Sequence, residues 1–139
     1  MATILGAIFW CGLIVAAPTF HLGPIYLFFS SICHQLPERS WHIGGEPLAV
    51  CIRCTSIYFG FLLGLVVLPG RLSGRTNVHW LMAAAGFTLA QWLLALVVWD
   101  SVALRAATGV LLGAFAAPLV LKGVEELFAA KVRTAHESM

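Results

Sequence analysis

Four apolar segments separated by more polar stretches constrain this chain more than any other feature of its sequence. They cover roughly residues 3–20, 51–68, 78–99 and 102–122. A helix needs about 20 mostly apolar residues to cross the hydrocarbon core of a bilayer. Only 10% of the residues are charged, whereas a water-soluble domain carries about 25%. The pattern predicts an all-α polytopic membrane protein of about four transmembrane helices, forming one domain over residues 1–139.

A shorter apolar piece at 25–32 leads into a polar loop at 33–50. Pro18, Gly23 and Pro24 separate this piece from the first segment, and the piece alone is too short to span a bilayer. We predict an interfacial or re-entrant helix there; the alternative is one long kinked helix over both pieces. The charged tail at 123–139 is expected to lie in water.

The distribution of basic residues predicts the orientation in the membrane. With four spans, both termini lie on one side. That side holds five basic residues and the opposite side three: Arg71, Arg75, Lys122, Lys131 and Arg133 against Arg39, Arg53 and Arg105. The positive-inside rule therefore places the termini in the cytoplasm and the polar loop outside it. Because the basic residues are scattered and the net charge is only +2, nothing supports nucleic-acid binding.

Small and polar residues within the apolar segments suggest how the helices pack. Gly60 with Gly64, and Gly109 with Gly113, form two GxxxG motifs, which allow close helix approach in lipid. Chance is the alternative, and we expect packing within the bundle rather than homodimerisation.

Ser101, Arg105 and Thr108 share one face of the fourth helix. We expect Arg105 to reach lipid phosphate or to pair with Asp100. The alternative is that the three residues form a polar lining near the cysteine loop.

The polar loop and the helix after it carry a cysteine–histidine cluster. Cys33 and His34 precede a Cys-x-x-Cys pair formed by Cys51 and Cys54. Three thiolates and one imidazole are a common tetrahedral set for structural zinc. Adjacent residues ligate one ion only through a strained turn, so His42 is the alternative to His34 as the fourth ligand. Zinc is the predicted cofactor, and Cys11, within the first helix, is expected to be a packing residue.

Three other interpretations of the cysteines remain open. Cys51 and Cys54 begin a predicted helix, whose dipole lowers thiol pKa values and would suit thiol–disulfide exchange with Cys33. A structural disulfide could instead join Cys33 to Cys51 or Cys54. The cysteines could also be small buried residues without any bond. Gln35 and Ser40 are candidates to support the loop by hydrogen bonds, or they simply face water.

The functional hypothesis follows from the residues around the cluster. Too few acid–base groups surround it for a hydrolytic site, and zinc with four protein ligands leaves no position for substrate. We therefore favour a non-enzymatic role: an accessory or scaffold subunit that contacts the lipid bilayer and other membrane subunits. The alternative is a quinone-linked thiol–disulfide oxidoreductase that uses Cys51, Cys54 and Cys33.

Three motifs support a resemblance. Residues 33–40 fit Cys-His-Gln-x-Pro-x-Arg-Ser, residues 51–60 fit Cys-x-Arg-Cys-x-x-Ile-Tyr-x-Gly, and residues 104–109 fit Leu-Arg-x-x-Thr-Gly. Over roughly residues 28–115 the chain resembles a widespread prokaryotic family of small membrane proteins known only as a domain of unknown function. The resemblance implies a location in the prokaryotic cytoplasmic membrane and implies no activity.

The architecture is also similar to that of quinone-linked, disulfide-generating membrane proteins. Those proteins use two cysteine pairs, whereas the loop here adds only Cys33 to the Cys-x-x-Cys.

Overall fold

The fold is mostly helical, as the apolar segments predict. The structure is a computed structural model that describes residues 2–68, 74–97 and 101–137. Its helices are α1 (Ala2–Thr19), α2 (Gly23–Ser30), α3 (Ile52–Val67), α4 (Gly74–Val97) and α5 (Val102–Glu137). Between α2 and α3 lie a 3₁₀ turn (Pro37–Arg39) and a hairpin of two short strands, β1 (His42–Ile43) and β2 (Glu46–Pro47).

Two helices of the described chain are long and apolar enough to cross a membrane. These segments are Arg75–Leu96 in α4 and Val102–Lys131 in α5. Helices α1 and α3 are apolar but shorter, so their predicted role as spans stays a prediction. Large apolar side chains are exposed along α4, among them Met82, Leu89 and Leu96, as expected for a helix that faces lipid.

Helix α2 is separate from α1, as predicted, and the two do not form one kinked helix. Helix α1 ends at Thr19, and His21 adopts a left-handed backbone conformation with φ of 51°. Pro24 then occupies the first turn of α2, where a missing amide hydrogen costs nothing. The reversal at His21 sends α2 back beside α1.

Helix α5 is longer than the sequence analysis predicts. Its end was expected near residue 122, yet it continues to Glu137. The segment beyond Gly123 contains three Glu and three Ala residues up to Glu137, which favour helix, and a change from apolar to charged residues does not end a helix. At 1.5 Å per residue, its 36 residues measure about 54 Å, well beyond the roughly 30 Å of a hydrocarbon core.

The start of helix α4 also differs from the prediction, which placed it near residue 78. It begins at Gly74, where a polar connection was expected, because Asn77 finds a partner on α5. The Asn77 side-chain amide donates to the Phe115 carbonyl at 3.0 Å. The predicted end of this helix at residue 99 and the turn at Asp100 lie outside the described residues.

The two glycine motifs pack against each other, which confirms packing within the bundle. A Cβ atom added at Gly60 would lie 2.9 Å from the Val110 carbonyl carbon, and one at Gly113 would lie 2.9 Å from the Ile57 carbonyl carbon. Both distances are too short for a real side chain. The backbones of α3 and α5 therefore touch only because these positions lack a side chain.

Helix α4 contacts its neighbours through a narrow seam. Its buried residues Asn77, Ala84 and Gln91 recur every seven positions and share one face. Trp80 stacks on Phe115 with ring centroids 5.8 Å apart. The order of packing is α1 on α2 and α3, then α3 on α5, and α5 on α4.

Candidate metal centre

Three thiols meet where the loop joins α3. Cys33 follows α2, Cys51 caps the N-terminus of α3, and Cys54 lies in its first turn. Their sulfur atoms all lie within 4.8 Å of one another. Tetrahedral zinc with 2.3 Å bonds to sulfur needs sulfur atoms about 3.8 Å apart. The three thiols could therefore hold one metal ion after movements of about 1 Å or less.

A small apolar core positions Cys33. The side chains of this core come from α1, α2 and the end of the loop: Ile14, Ala17, Phe29, Leu48, Ala49 and Val50, with Cys33 among them. The Cys33 amide donates to the Phe29 carbonyl at 2.9 Å, which ends α2. The Cys51 amide donates to the Cys33 sulfur at 3.2 Å. This last bond joins the two halves of the site.

Gln35 fastens the loop to α2. Its side-chain amide donates to the carbonyls of Tyr26 (2.7 Å) and Ala49 (2.8 Å), so the supporting role considered for it is confirmed. Gln35 itself has a positive φ of 49°, which gives a tight turn directly after His34. Ser40 also supports the loop, donating to the Leu36 carbonyl at 3.0 Å.

The β-hairpin closes the loop. Gly44 and Gly45 both have positive φ, 62° and 91°, the requirement of a two-residue turn between antiparallel strands. The Tyr26 hydroxyl donates to the Pro47 carbonyl, so the hairpin rests on α2. The turn of the hairpin thus brings Cys51 back beside Cys33, which lies 18 residues earlier in the sequence.

The electrostatics of the cluster favour one thiolate. The Cys54 thiol donates a hydrogen bond to Cys51, which lowers the pKa of Cys51 to about 5 despite its partial burial. Further hydrogen bonds from backbone amides and Cys33 act in the same direction. The lowered pKa favours the thiolate form of Cys51, which is the form that binds metal or attacks a disulfide.

The histidines are placed differently from the thiols. Among the residues that the structure describes, the cluster consists of the three cysteines, and neither His34 nor His42 belongs to it. His34 is exposed but lines the same pocket as the cysteines. His42 is exposed on β1 and does not line this pocket. Cys11 is buried in α1, away from the cluster.

The thiols open onto a pocket of about 430 Å³ that also holds arginines. Besides the three cysteines and His34, it is lined by Arg39, Arg53 and Arg105 and by apolar side chains: Ile32, Leu36, Trp92, Ala95 and Leu96. Arg105 thus lies near the cysteine loop, as the polar-lining hypothesis requires. Thr108 is buried, and its hydroxyl bonds back to the Leu104 carbonyl of its own helix at 2.9 Å.

The meeting of the three arginines was not predicted from the sequence. Arg39 was counted only as a charge, yet it lines the pocket with Arg53 and Arg105. The signal was present in the orientation argument, because these three are the basic residues assigned to the same side of the membrane as the cysteine loop.

Comparison of the sequence with known protein families identifies the family of this chain. The sequence pattern of DUF2085, described as a predicted membrane protein, matches residues 33–119. The chain belongs to the DUF2085 family. The DUF2085 match begins at Cys33 and includes all three thiols, both glycine motifs and the three arginines of the pocket.

Two archaeal relatives match over shorter stretches. The chain is 49% identical over 45 residues to the uncharacterized protein MJ1492 of Methanocaldococcus jannaschii, covering 32% of this chain and 29% of that protein. It is 37% identical over 51 residues to an uncharacterized protein of Methanothermobacter thermautotrophicus, covering 34% of this chain and 46% of that protein. The matches thus span less than half of either relative. No solved structure matches this DUF2085 chain.

Proposed function

We propose that this protein is a four-span membrane protein whose extramembrane loop is held by a zinc ion bound to Cys33, Cys51 and Cys54. The observation that carries the proposal is the mutual approach of the three sulfur atoms within 4.8 Å. Zinc binds thiolates well, and the ion imposes no coordination geometry of its own on the ligands. The ion would join the end of α2 to the start of α3.

His34 is the proposed fourth ligand. It follows Cys33 directly and lines the pocket onto which the thiols open, whereas His42 lies on the hairpin away from that pocket. The left-handed turn at Gln35 supplies the tight backbone that ligation by adjacent residues needs. Rotation of the exposed His34 ring toward the sulfur atoms would complete the site.

The proposed biological role is that of an accessory or scaffold subunit of a membrane assembly. The four spans are α1, α3, α4 and α5, with cytoplasmic termini and the cysteine loop outside the cytoplasm. A zinc ion with four protein ligands would stabilise the loop without offering a position for substrate. A stabilised loop on that side is suited to contact other subunits.

The first experiment measures metal content and free thiols in the same sample of full-length protein, purified in detergent without chelator. We expect about one zinc per chain. The variants Cys33→Ser, Cys51→Ser and Cys54→Ser should each lose it. Cys11→Ser is the matched control, because Cys11 is a buried cysteine outside the cluster, and it should retain the metal.

Histidine variants test the fourth ligand. His34→Ala should weaken zinc binding at least tenfold, while His42→Ala and the control His79→Ala leave it unchanged. Equal zinc binding in His34→Ala and wild type would contradict the assignment of His34. A purified protein that holds no zinc under any condition would contradict the metal proposal itself.

The second candidate function is a quinone-linked thiol–disulfide oxidoreductase, favoured by the thiolate character of Cys51 beside Cys54. In this chemistry a Cys51–Cys54 disulfide accepts two electrons from a substrate dithiol, which becomes a disulfide. A quinone then reoxidises the two thiols and becomes quinol, taking up two electrons and two protons. Cys33 would relay the exchange.

Thiol oxidation separates the two functions. The oxidoreductase requires that detergent-purified protein oxidise a dithiol while reducing added quinone, and that Cys51→Ser abolish the activity. His34→Ala should leave that activity intact, whereas zinc binding would be impaired. Full activity in Cys51→Ser would exclude the redox function.

A further inference from the structure

The pocket beside the thiols is lined by three arginine side chains. Arg39, Arg53 and Arg105 line it together with His34, and no Asp or Glu of the described chain does so; Asp100 lies outside the described residues. The N-terminus of α3, the positive end of its dipole, adjoins the pocket through Cys51.

Arg53 is held at the wall of the pocket by a neighbouring helix. Its guanidinium donates to the Gln91 side-chain oxygen, which fixes the arginine against α4. Gln91 is only 5% exposed and does not itself line the pocket. The Arg53 guanidinium is therefore positioned by the protein before any ligand binds.

The other half of the pocket is apolar. Trp92 and Leu96 of α4 and Ile32 beside α2 form this side. A volume of about 430 Å³ exceeds what a bare oxyanion fills and lies within the range of about 300–1,000 Å³ typical of small-molecule sites. A ligand that matches both halves has an anionic head and an apolar body.

We propose that this pocket binds one phosphate group per chain, held by Arg39, Arg53 and Arg105, with the apolar body of a phosphate ester against Trp92 and Leu96. Guanidinium groups match phosphate through paired N–H···O bonds. A membrane phospholipid and a soluble phosphate compound offer the same head group, and the experiment distinguishes them. The proposal stands independently of the zinc site.

The experiment uses full-length protein in detergent, with two measurements. Native mass spectrometry counts phospholipid retained after mild purification. Isothermal titration calorimetry then measures binding of inorganic phosphate to delipidated protein. Each is made on wild type, Arg39→Gln, Arg53→Gln and the control Arg75→Gln. Arg75 is an exposed arginine in the first turn of α4 and does not line the pocket.

We expect wild type and Arg75→Gln to bind one phosphate group per chain, and Arg39→Gln and Arg53→Gln to bind at least tenfold more weakly. One retained phospholipid per chain would identify a lipid as the source. Phosphate binding by calorimetry without retained lipid would identify a soluble phosphate. Neither form of binding, or equal weakening in Arg75→Gln and Arg39→Gln, would overturn the proposal.

Two further measurements distinguish a loss of phosphate binding from misfolding and from phosphate binding to zinc. Zinc content and far-UV circular dichroism are recorded for every variant, and if Arg53→Gln fails to fold, the exposed Arg39 still provides the test. Calorimetry is repeated on chelator-treated protein. Phosphate binding that requires zinc and ignores Arg39→Gln would mean that phosphate binds the metal, which overturns the arginine site. Binding that survives chelation supports the site even if the zinc proposal fails.

Discussion

The two ends of helix α3 are held in place by different physical means. At its N-terminus, Cys51 and Cys54 meet Cys33 of the loop, and the contact depends on thiol chemistry. Further along, Gly60 and Gly64 lie against the backbone of α5, and the contact depends on shape alone. A ligand or redox change could therefore alter the first region while leaving the second unchanged. The following predictions separate the two.

Removal of the proposed metal is expected to have the largest effect, and only at the cysteine end. Structural zinc contributes about 10 kcal/mol or more to small zinc-finger peptides, so chelation should speed amide hydrogen exchange in residues 33–51 at least about a hundredfold. Exchange in 60–65 and 109–113 should change little. Hydrogen-exchange mass spectrometry in detergent checks both regions, and equal acceleration in both would show that they are not independent.

The substitution Gly113→Ala tests the glycine contact between α3 and α5 and leaves the cysteine end unchanged. The new methyl group would meet the Ile57 backbone, and overpacking of this kind typically costs about 1–3 kcal/mol. Stability measured by denaturant unfolding should fall by that amount, while the zinc content stays at the wild-type level. The matched control is Gly86→Ala on α4, because a Cβ there would meet nothing within 4 Å beyond the adjacent backbone of its own helix. A control that loses as much stability would contradict the packing argument.

Gln35→Ala tests the support of the cysteine end without touching a thiol. The substitution leaves the Tyr26 and Ala49 carbonyls without these two hydrogen bonds, at a cost of about 1–3 kcal/mol. We expect faster exchange in the loop and weaker zinc binding. Ser40→Ala, which removes one local bond, should have a smaller effect; the reverse order would show that Gln35 is not the main support.

Asn77→Ala should give the smallest effect. It removes one hydrogen bond between α4 and α5, and such bonds average about 0.6 kcal/mol in membrane proteins. Unfolding stability should fall by about that amount, with no change in zinc content or loop exchange. A loss as large as that of Gly113→Ala would mean that polar contacts, rather than glycine packing, dominate the helix interface.

Local sequence signals predicted the elements but not all their limits. Pro24 and the apolar run after it indicated a separate α2, and the glycine spacing indicated close packing of α3 on α5. The predicted end of α5 came too early, because it rested on the end of the apolar run and not on helix propensity. The hairpin at Gly44 and Gly45 was expected only as part of the polar loop, since strands of two residues leave no periodic pattern.

The sequence by itself determined the class of protein and the chemistry available to it: helices that suit lipid, three thiols within 22 residues, and glycines at helical spacing. These follow from composition and local spacing, which act over a few turns of chain. Only the tertiary structure decided which further groups meet. The Cys-His and Cys-x-x-Cys motifs predicted that Cys33 approaches Cys51 and Cys54, but no pattern predicted the partners of Gln35 or the pocket shared by Arg39, Arg53 and Arg105. These contacts depend on how the loop folds and how the helices pack, and no local pattern encodes them.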